Sequence, residues 1–113
     1  MTTFLESRDI EAHLEALRRA GADIRVVRPA PDKAGVLDAF AAALELPEWF
    51  GHNWDALLDA LREIEGREGR RIELIWEPAA AELRGEDTYA TVLDILEQAA
   101  DERDDLGITV VTP

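Results

Sequence analysis

The stretch from residue 44 to residue 64, LELPEWFGHNWDALLDALREI, constrains the fold more than any other part of the chain. Pro47 lacks a backbone donor and disfavours helical geometry at the residue before it, so the first part cannot be regular helix. Asn53 is suited to a helix N-cap, because its side-chain oxygen accepts from free backbone N–H groups. Beyond it, apolar residues recur at helical spacing: Trp54, Leu57, Leu58, Leu61 and Ile64. The stretch predicts an aromatic loop that leads directly into a capped amphipathic helix.

Two acids, Asp55 and Asp59, lie just beyond one edge of the apolar stripe of this helix. Carboxylates four residues apart repel by roughly 0.2–0.5 kcal/mol, so helix stability does not explain the pair. Trp49 and Phe50 precede them in the loop, and aromatic anchors beside aligned acids are typical of a docking surface for a basic protein. A solvated helix face, with the aromatic residues in the core, explains the same pattern equally well. Glu63 is expected further round the helix, towards bulk solvent.

The charge of the chain narrows the choice of partner. It has 12 basic and 25 acidic residues, for a formal net charge of −13. Phosphate contacts need clustered Lys and Arg, so direct binding of nucleic acid is not expected. The same field would accelerate the encounter with a basic protein. High net charge also supplies solubility, so the charge alone does not decide the function.

Length and residue usage exclude other classes. The 113 residues predict a single domain over 1–113, and the lack of cysteine excludes disulfide and thiolate chemistry. His13 and His52 lie far apart and belong to no metal-binding pattern, so neither a metal nor a cofactor is expected. No run has the apolar length of a membrane span, and the N-terminus has no signal-peptide pattern. We therefore expect a cytoplasmic protein that does not contact membranes.

Strand and helix patterns alternate along the chain. Strands are predicted at 24–28, 72–76 and 108–111, with helical segments between them. An N-terminal helix is predicted over 9–20, where Gly21 is placed to end it. Alternation of this kind favours parallel strands joined by right-handed crossovers. The prediction is an α/β domain with a three-stranded parallel sheet covered by helices, to which residues 1–22 add a helical extension.

The loop and helix also resemble a known family. The pattern LxLPEWFGxNWDALxDxL over residues 44–61 resembles the loop and second helix of the barstar family, the intracellular inhibitors of barnase-like ribonucleases. A Pro-Glu-aromatic-aromatic-Gly-x-Asn loop leads into a helix with the same Asp, Leu and Asp spacing. The resemblance continues more weakly through 74–77 and 92–98 to the predicted strand 108–111. It covers the chain from about residue 25 onwards and implies a barstar-like fold.

The resemblance also implies a function, which is not enzymatic. Barstar-like proteins insert this helix and loop into the active-site cleft of a basic ribonuclease of the extracellular or toxin type, where carboxylates replace substrate phosphates. Asp59 matches the acid that dominates binding in the family. Gln98 matches a glutamate that contributes to the interface, and His52 stands where the family has an acid. The implied partner-binding residues are Trp49, Phe50, Gly51, His52, Asn53, Trp54, Asp55, Leu58, Asp59 and Gln98.

Two other functions stay open. Asp55 and Asp59 could act as an acid–base pair, as paired carboxylates do in glycoside hydrolysis, although the pattern places both on an exposed helix edge. A regulatory barstar-like domain without a nuclease partner would work through self-association or by binding another protein. Relative to the family pattern, Trp54 replaces a leucine and Leu58 a tryptophan. This exchange preserves the mode of binding and leaves open which nuclease the chain binds. We expect the chain to be monomeric when free.

Overall fold

The computed structural model describes residues 2–47, 50–78 and 86–112, with only the backbone described at 86 and 87. Four strands and four α-helices lie within these ranges. The strands are β1 (Thr2–Glu6), β2 (Asp23–Val27), β3 (Ile72–Trp76) and β4 (Leu106–Thr112). The helices are α1 (Ile10–Arg19), α2 (Lys33–Leu44), α3 (Trp54–Glu63) and α4 (Glu86–Glu102). Short 3-10 turns follow β1 and precede β3.

The four strands form one sheet in the order β1-β4-β3-β2, and each neighbouring pair is parallel. The structure confirms that the three predicted strands share a parallel sheet. The predicted number of strands is wrong, because β1 adds a fourth strand beside β4. Residues 2–22 therefore form a strand and a helix: the predicted N-terminal helix is present as α1, and β1, which was not predicted, precedes it. Thr2–Glu6 has only two large apolar residues, and it is paired with a strand from the other end of the chain.

Helices cover both faces of the sheet. Helix α1, which lies within the predicted 9–20, contacts β2, and its His13 Nε2 is 3.0 Å from the buried Thr109 Oγ1 of β4. Successive strand residues point to opposite faces, so the alternate residues of β4 face the main core. There they meet α2, α3 and α4. The largest fully buried side chains include Trp76, Phe40, Leu37, Leu57, Leu61, Leu74, Leu96 and Ile108.

Caps fix where α2 ends and α3 begins. Glu45 adopts a left-handed conformation with φ 55° at the end of α2, and the Leu46 N–H then donates to the Ala41 carbonyl at 2.9 Å. This reversal turns the chain back along the sheet. The predicted N-cap of α3 is confirmed, since Asn53 Oδ1 accepts from the Ala56 N–H at 2.8 Å. The two caps determine how the loop between them meets α3.

A buried ion cluster ties this region to the edge of the sheet. Asp23, only 2% exposed, accepts two 3.0 Å hydrogen bonds from Arg25 and two 2.9 Å hydrogen bonds from the backbone and guanidinium of Arg67. Arg25 also donates to the Ala43 carbonyl in the last turn of α2 at 3.0 Å. The hydrogen bond from Arg25 is the main cause that lowers the pKa of Asp23 to about 2. One carboxylate therefore links β2, through its two arginines, to α2 and to the turn before β3.

Candidate functional site

Helix α3 presents one acidic face to solvent. Leu57 and Leu61 are fully buried in the core, and Trp54, Leu58 and Ile64 are half-buried against it. This is the apolar stripe that the residue spacing predicted. Asp55 and Asp59 are exposed, and the Asp59 side chain is 73% accessible. The two carboxylates lie one turn apart on the outside of the helix, where a second protein can reach them.

An apolar groove of about 380 Å³ runs between α3 and the loop that precedes it. Its lining consists of Leu46, Pro47, Phe50, Gly51, Ala56, Asp59, Ala60, Glu63 and Ile64. Among the described lining residues, only Asp59 and Glu63 are charged, and the others are apolar or glycine. The groove is therefore suited to a side chain with an apolar body and a cationic tip, because it offers both kinds of contact.

The sequence predicts the position of Glu63 only in part. Glu63 is exposed, as expected, but it also lines the same groove as Asp59. Residues four apart lie on one side of a helix, so the two acids are neighbours. The loop folds back along that side and makes it a wall of the groove. The helical period places Glu63 correctly on the helix, but it does not predict where the loop lies.

The loop residues divide into support and surface. Phe50 is only 8% exposed and packs in the core, so it builds the groove wall and does not project as a free anchor. Gly51, His52 and Asn53 are exposed. Trp49 lies outside the described residues. For Phe50, the interpretation as a core aromatic is therefore correct.

Helix α2 holds the entrance of α3 through two polar contacts that the sequence did not reveal. His52 Nε2 lies 3.0 Å from Asp38 Oδ1, and the His52 ring is 5.3 Å from the Phe50 ring. Lys33 Nζ lies 5.3 Å from the centre of the Trp54 ring, within the range of a cation–π contact. Both partners on α2 are far from the loop in sequence, so spacing gives no signal for either contact.

A second seam joins α3 to α4. Arg62 binds Glu102 with two hydrogen bonds, Nε to Oε2 at 2.7 Å and Nη2 to Oε1 at 3.0 Å. Arg103 of the segment after α4 donates from Nη1 to the Leu61 carbonyl at 2.8 Å. The Arg62 guanidinium holds the pKa of Glu102 below its ordinary value. Gln98 is exposed one turn before Glu102 on α4, so it lies on the same side of that helix.

The family model described as "Barstar (barnase inhibitor)" matches residues 23–112. The chain belongs to the barstar family. No curated protein matches the chain. The resemblance recognised in the loop and second helix is therefore confirmed at the level of the family.

The barstar match starts at the first residue of β2. Strand β1 and helix α1 precede the matched range, and β1 extends the sheet beyond β4. The loop, the groove, α3 and the seam with α4 all lie inside the matched range. The acidic surface therefore belongs to the part of the chain that makes it a barstar-family protein.

Two other kinds of feature are absent from the described residues of this barstar-family chain. No three His, Cys, Asp or Glu side chains there are grouped so that they could hold a metal ion. No helix there has the length and apolar character that a membrane crossing requires. Asp55 and Asp59 stand on the same exposed helix face, whereas the two carboxylates of a glycoside hydrolase flank the bond that is cleaved, and this placement does not favour an acid–base pair.

Proposed function

We propose that this barstar-family protein inhibits a basic barnase-type ribonuclease by covering its active site with α3 and the loop before α3. One observation carries the proposal. The acids of α3 project outwards along a single face, and Asp59 and Glu63 also border an apolar groove beside the family's loop. The inhibitor would act in the cytoplasm as a monomer.

Carboxylates suit this role for a physical reason. A ribonuclease holds the phosphates of its substrate with cationic side chains, and these bind carboxylate oxygens through the same charge-assisted hydrogen bonds. Asp59 lies on the side of α3 that faces away from the core, and Asp55 lies one turn before it on the same side. The partner would meet these acids first and then the groove. The described residues proposed to contact it are Gly51, His52, Asn53, Trp54, Asp55, Leu58, Asp59 and Glu63, with Gln98 at the α4 edge and Phe50 as the wall beneath. Trp49, predicted from the family pattern, is kept in the proposal without a structural description.

The proposal is tested by inhibition of RNA hydrolysis. The purified chain is titrated into barnase, and the initial rate of cleavage of a short RNA is measured. We expect the rate to fall to zero at one inhibitor per enzyme, with the chain competing against a mononucleotide for the active site. An Asp55→Asn/Asp59→Asn double variant with an unchanged circular dichroism spectrum is expected to inhibit poorly. Full activity at excess inhibitor, or binding that leaves the mononucleotide in place, would contradict the proposal.

The charge of the chain leads to a prediction about rates. With a net charge of −13, the association rate constant with a basic ribonuclease should fall markedly between low and physiological salt. The dissociation rate constant should change less, because contacts inside a formed interface are shielded from salt. Stopped-flow fluorescence at several salt concentrations measures both. An association rate that does not respond to salt would mean that the charge serves solubility alone.

A further inference from the structure

Arg62 lies inside the acidic surface of α3, between two carboxylates. Its guanidinium makes the two hydrogen bonds to Glu102 across the seam, and its Nη1 is 3.8 Å from Asp59 Oδ1 on its own helix. The Arg62 side chain is 39% exposed and that of Glu102 is 43% exposed, so both can move. Arg62 is thus hydrogen-bonded to the acid on α4 and makes only a longer ion pair, without a hydrogen bond, to the acid on α3.

The choice between the two acids matters because Arg62 and Asp59 are three residues apart. Residues at this spacing are neighbours on a helix surface, and oppositely charged pairs there form ion pairs readily. A guanidinium bound to Asp59 would occupy the oxygens that a cation of the partner needs. Its positive charge would also oppose that cation directly. An arginine at this position is harmful to a site for basic proteins unless something holds it elsewhere.

Glu102 is well placed to do so. Its carboxylate engages the planar guanidinium through two parallel hydrogen bonds, the strongest geometry that this pair can adopt. The backbone around it is fixed, because Arg103 binds both the Leu61 carbonyl of α3 and the Asp105 carboxylate at 2.8–2.9 Å. Gln98, one turn earlier on α4, is neutral and so offers Arg62 no competing charge.

We infer that Glu102 is a positioning residue, which holds Arg62 against α4 and thereby leaves the Asp59 carboxylate free for a cation of the partner. The inference rests on the proposed function, since it names what keeps that same site open. It assigns no direct contact with the partner to Glu102. It also predicts that Arg62 opposes binding, and that it does so most when Glu102 is absent.

The first part of the test uses the free chain and needs no partner. The Nε–H resonance of Arg62 is followed by NMR in four chains: the parent, Asp59→Asn, Glu102→Ala, and the double variant Asp59→Asn/Glu102→Ala. We expect Asp59→Asn to shift this resonance little in the parent and clearly in the Glu102→Ala chain, because only there would Arg62 form hydrogen bonds with Asp59. If Asp59→Asn leaves the Arg62 resonance unshifted in both chains, the inference is wrong.

The second part measures binding to barnase by the same variants. Glu102→Ala is expected to raise the Kd roughly two- to fivefold, the range of an exposed ion pair that must be broken on binding. Glu97→Ala is the matched control, because Glu97 is an exposed acid on α4 and its removal changes the net charge equally. It is expected to raise the Kd less than twofold. Glu102 is the last residue of α4, so thermal unfolding of both variants checks that the helix is intact.

Rescue separates positioning from contact. Adding Arg62→Ala to Glu102→Ala removes the competing cation, so the Kd should return to the parent value or fall below it. If the double variant binds as weakly as Glu102→Ala, Glu102 contacts the partner itself and the inference is wrong. Equal effects of Glu102→Ala and Glu97→Ala would overturn it as well. If barnase binds none of the chains, the proposed function fails for that enzyme, and the NMR result alone decides the role of Glu102.

Discussion

Replacing Asp59 by alanine is expected to weaken binding to a barnase-type ribonuclease by on the order of 2–5 kcal/mol. In the free protein this side chain is 73% accessible and contributes nothing to the core, so the variant should fold normally. In the proposed complex the partner would cover α3, and the cation that would meet Asp59 is then left without a counter-charge and without water. Most of the loss comes from that stranded cation, which is why it exceeds the value of an exposed ion pair. Calorimetric titration, or the ratio of dissociation to association rate constants, measures the change.

The control for Asp59 must carry the same charge and lie outside the site. Glu63 does not qualify, since it lines the same groove, and Glu63→Ala should cause an intermediate loss. Glu11 is an exposed acid on α1, which packs on the opposite face of the sheet. Glu11→Ala changes the net charge equally and should alter the free energy of binding by less than about 0.5 kcal/mol. If Asp59→Ala costs no more than Glu11→Ala, the interface lies on another face of the molecule.

The parts of the site that were predicted correctly depend on local rules. Pro47 excludes regular helix in the loop, and Asn53 caps α3 as its chemistry indicates. Leu57 and Leu61 are buried because the period of a helix puts them on one side. Each of these features is set by residues within a few positions of one another. A sequence shows such features directly.

The features that were missed depend on partners far along the chain. Arg62 and Glu102 are 40 residues apart, and no spacing rule connects them. Strand β1 is defined by its hydrogen bonds to β4 more than by its own five residues. Phe50 was counted among the implied partner-binding residues, while the residue pattern fitted a core position equally well. Its burial follows from how the loop folds onto α3, which is a property of tertiary packing.

The other large effect is expected on the free energy of unfolding, when the buried charge of Asp23 is removed. This carboxylate is 2% exposed, and Arg25, which it binds through two hydrogen bonds, is 5% exposed. Asp23→Asn keeps the size of the side chain and removes its charge, which leaves the Arg25 guanidinium buried without an anion. Breaking a buried pair in this way costs about 3–5 kcal/mol of unfolding free energy. For a domain of this size that is a large part of the total, which is typically about 5–15 kcal/mol.

Protonation of the same carboxylate lowers the free energy of unfolding in acid. Its pKa is lowered from 3.8 to about 2 in the folded state, chiefly by the hydrogen bond from Arg25. A lowered folded pKa means that the unfolded chain takes up the proton first. The stabilisation is therefore complete above the unfolded pKa and is lost as the pH falls from about 4 towards 2, by roughly 2 kcal/mol. Urea unfolding of the parent at several pH values in this range should show that fall superimposed on the effects of other acids.

Asp23→Asn removes this titration, so the parent and the variant must approach each other in acid. We expect their difference in unfolding free energy to be largest at neutral pH and to shrink by roughly 2 kcal/mol between pH 4 and pH 2. Asp94→Asn removes the same charge at an exposed position on α4, so it serves as the matched control and should change the unfolding free energy by less than about 0.5 kcal/mol at neutral pH. A gap between the parent and Asp23→Asn that stays constant down to pH 2 would show that Asp23 titrates as an ordinary acid. The hydrogen bonds of the cluster would then stabilise the fold without a contribution from the charge of Asp23.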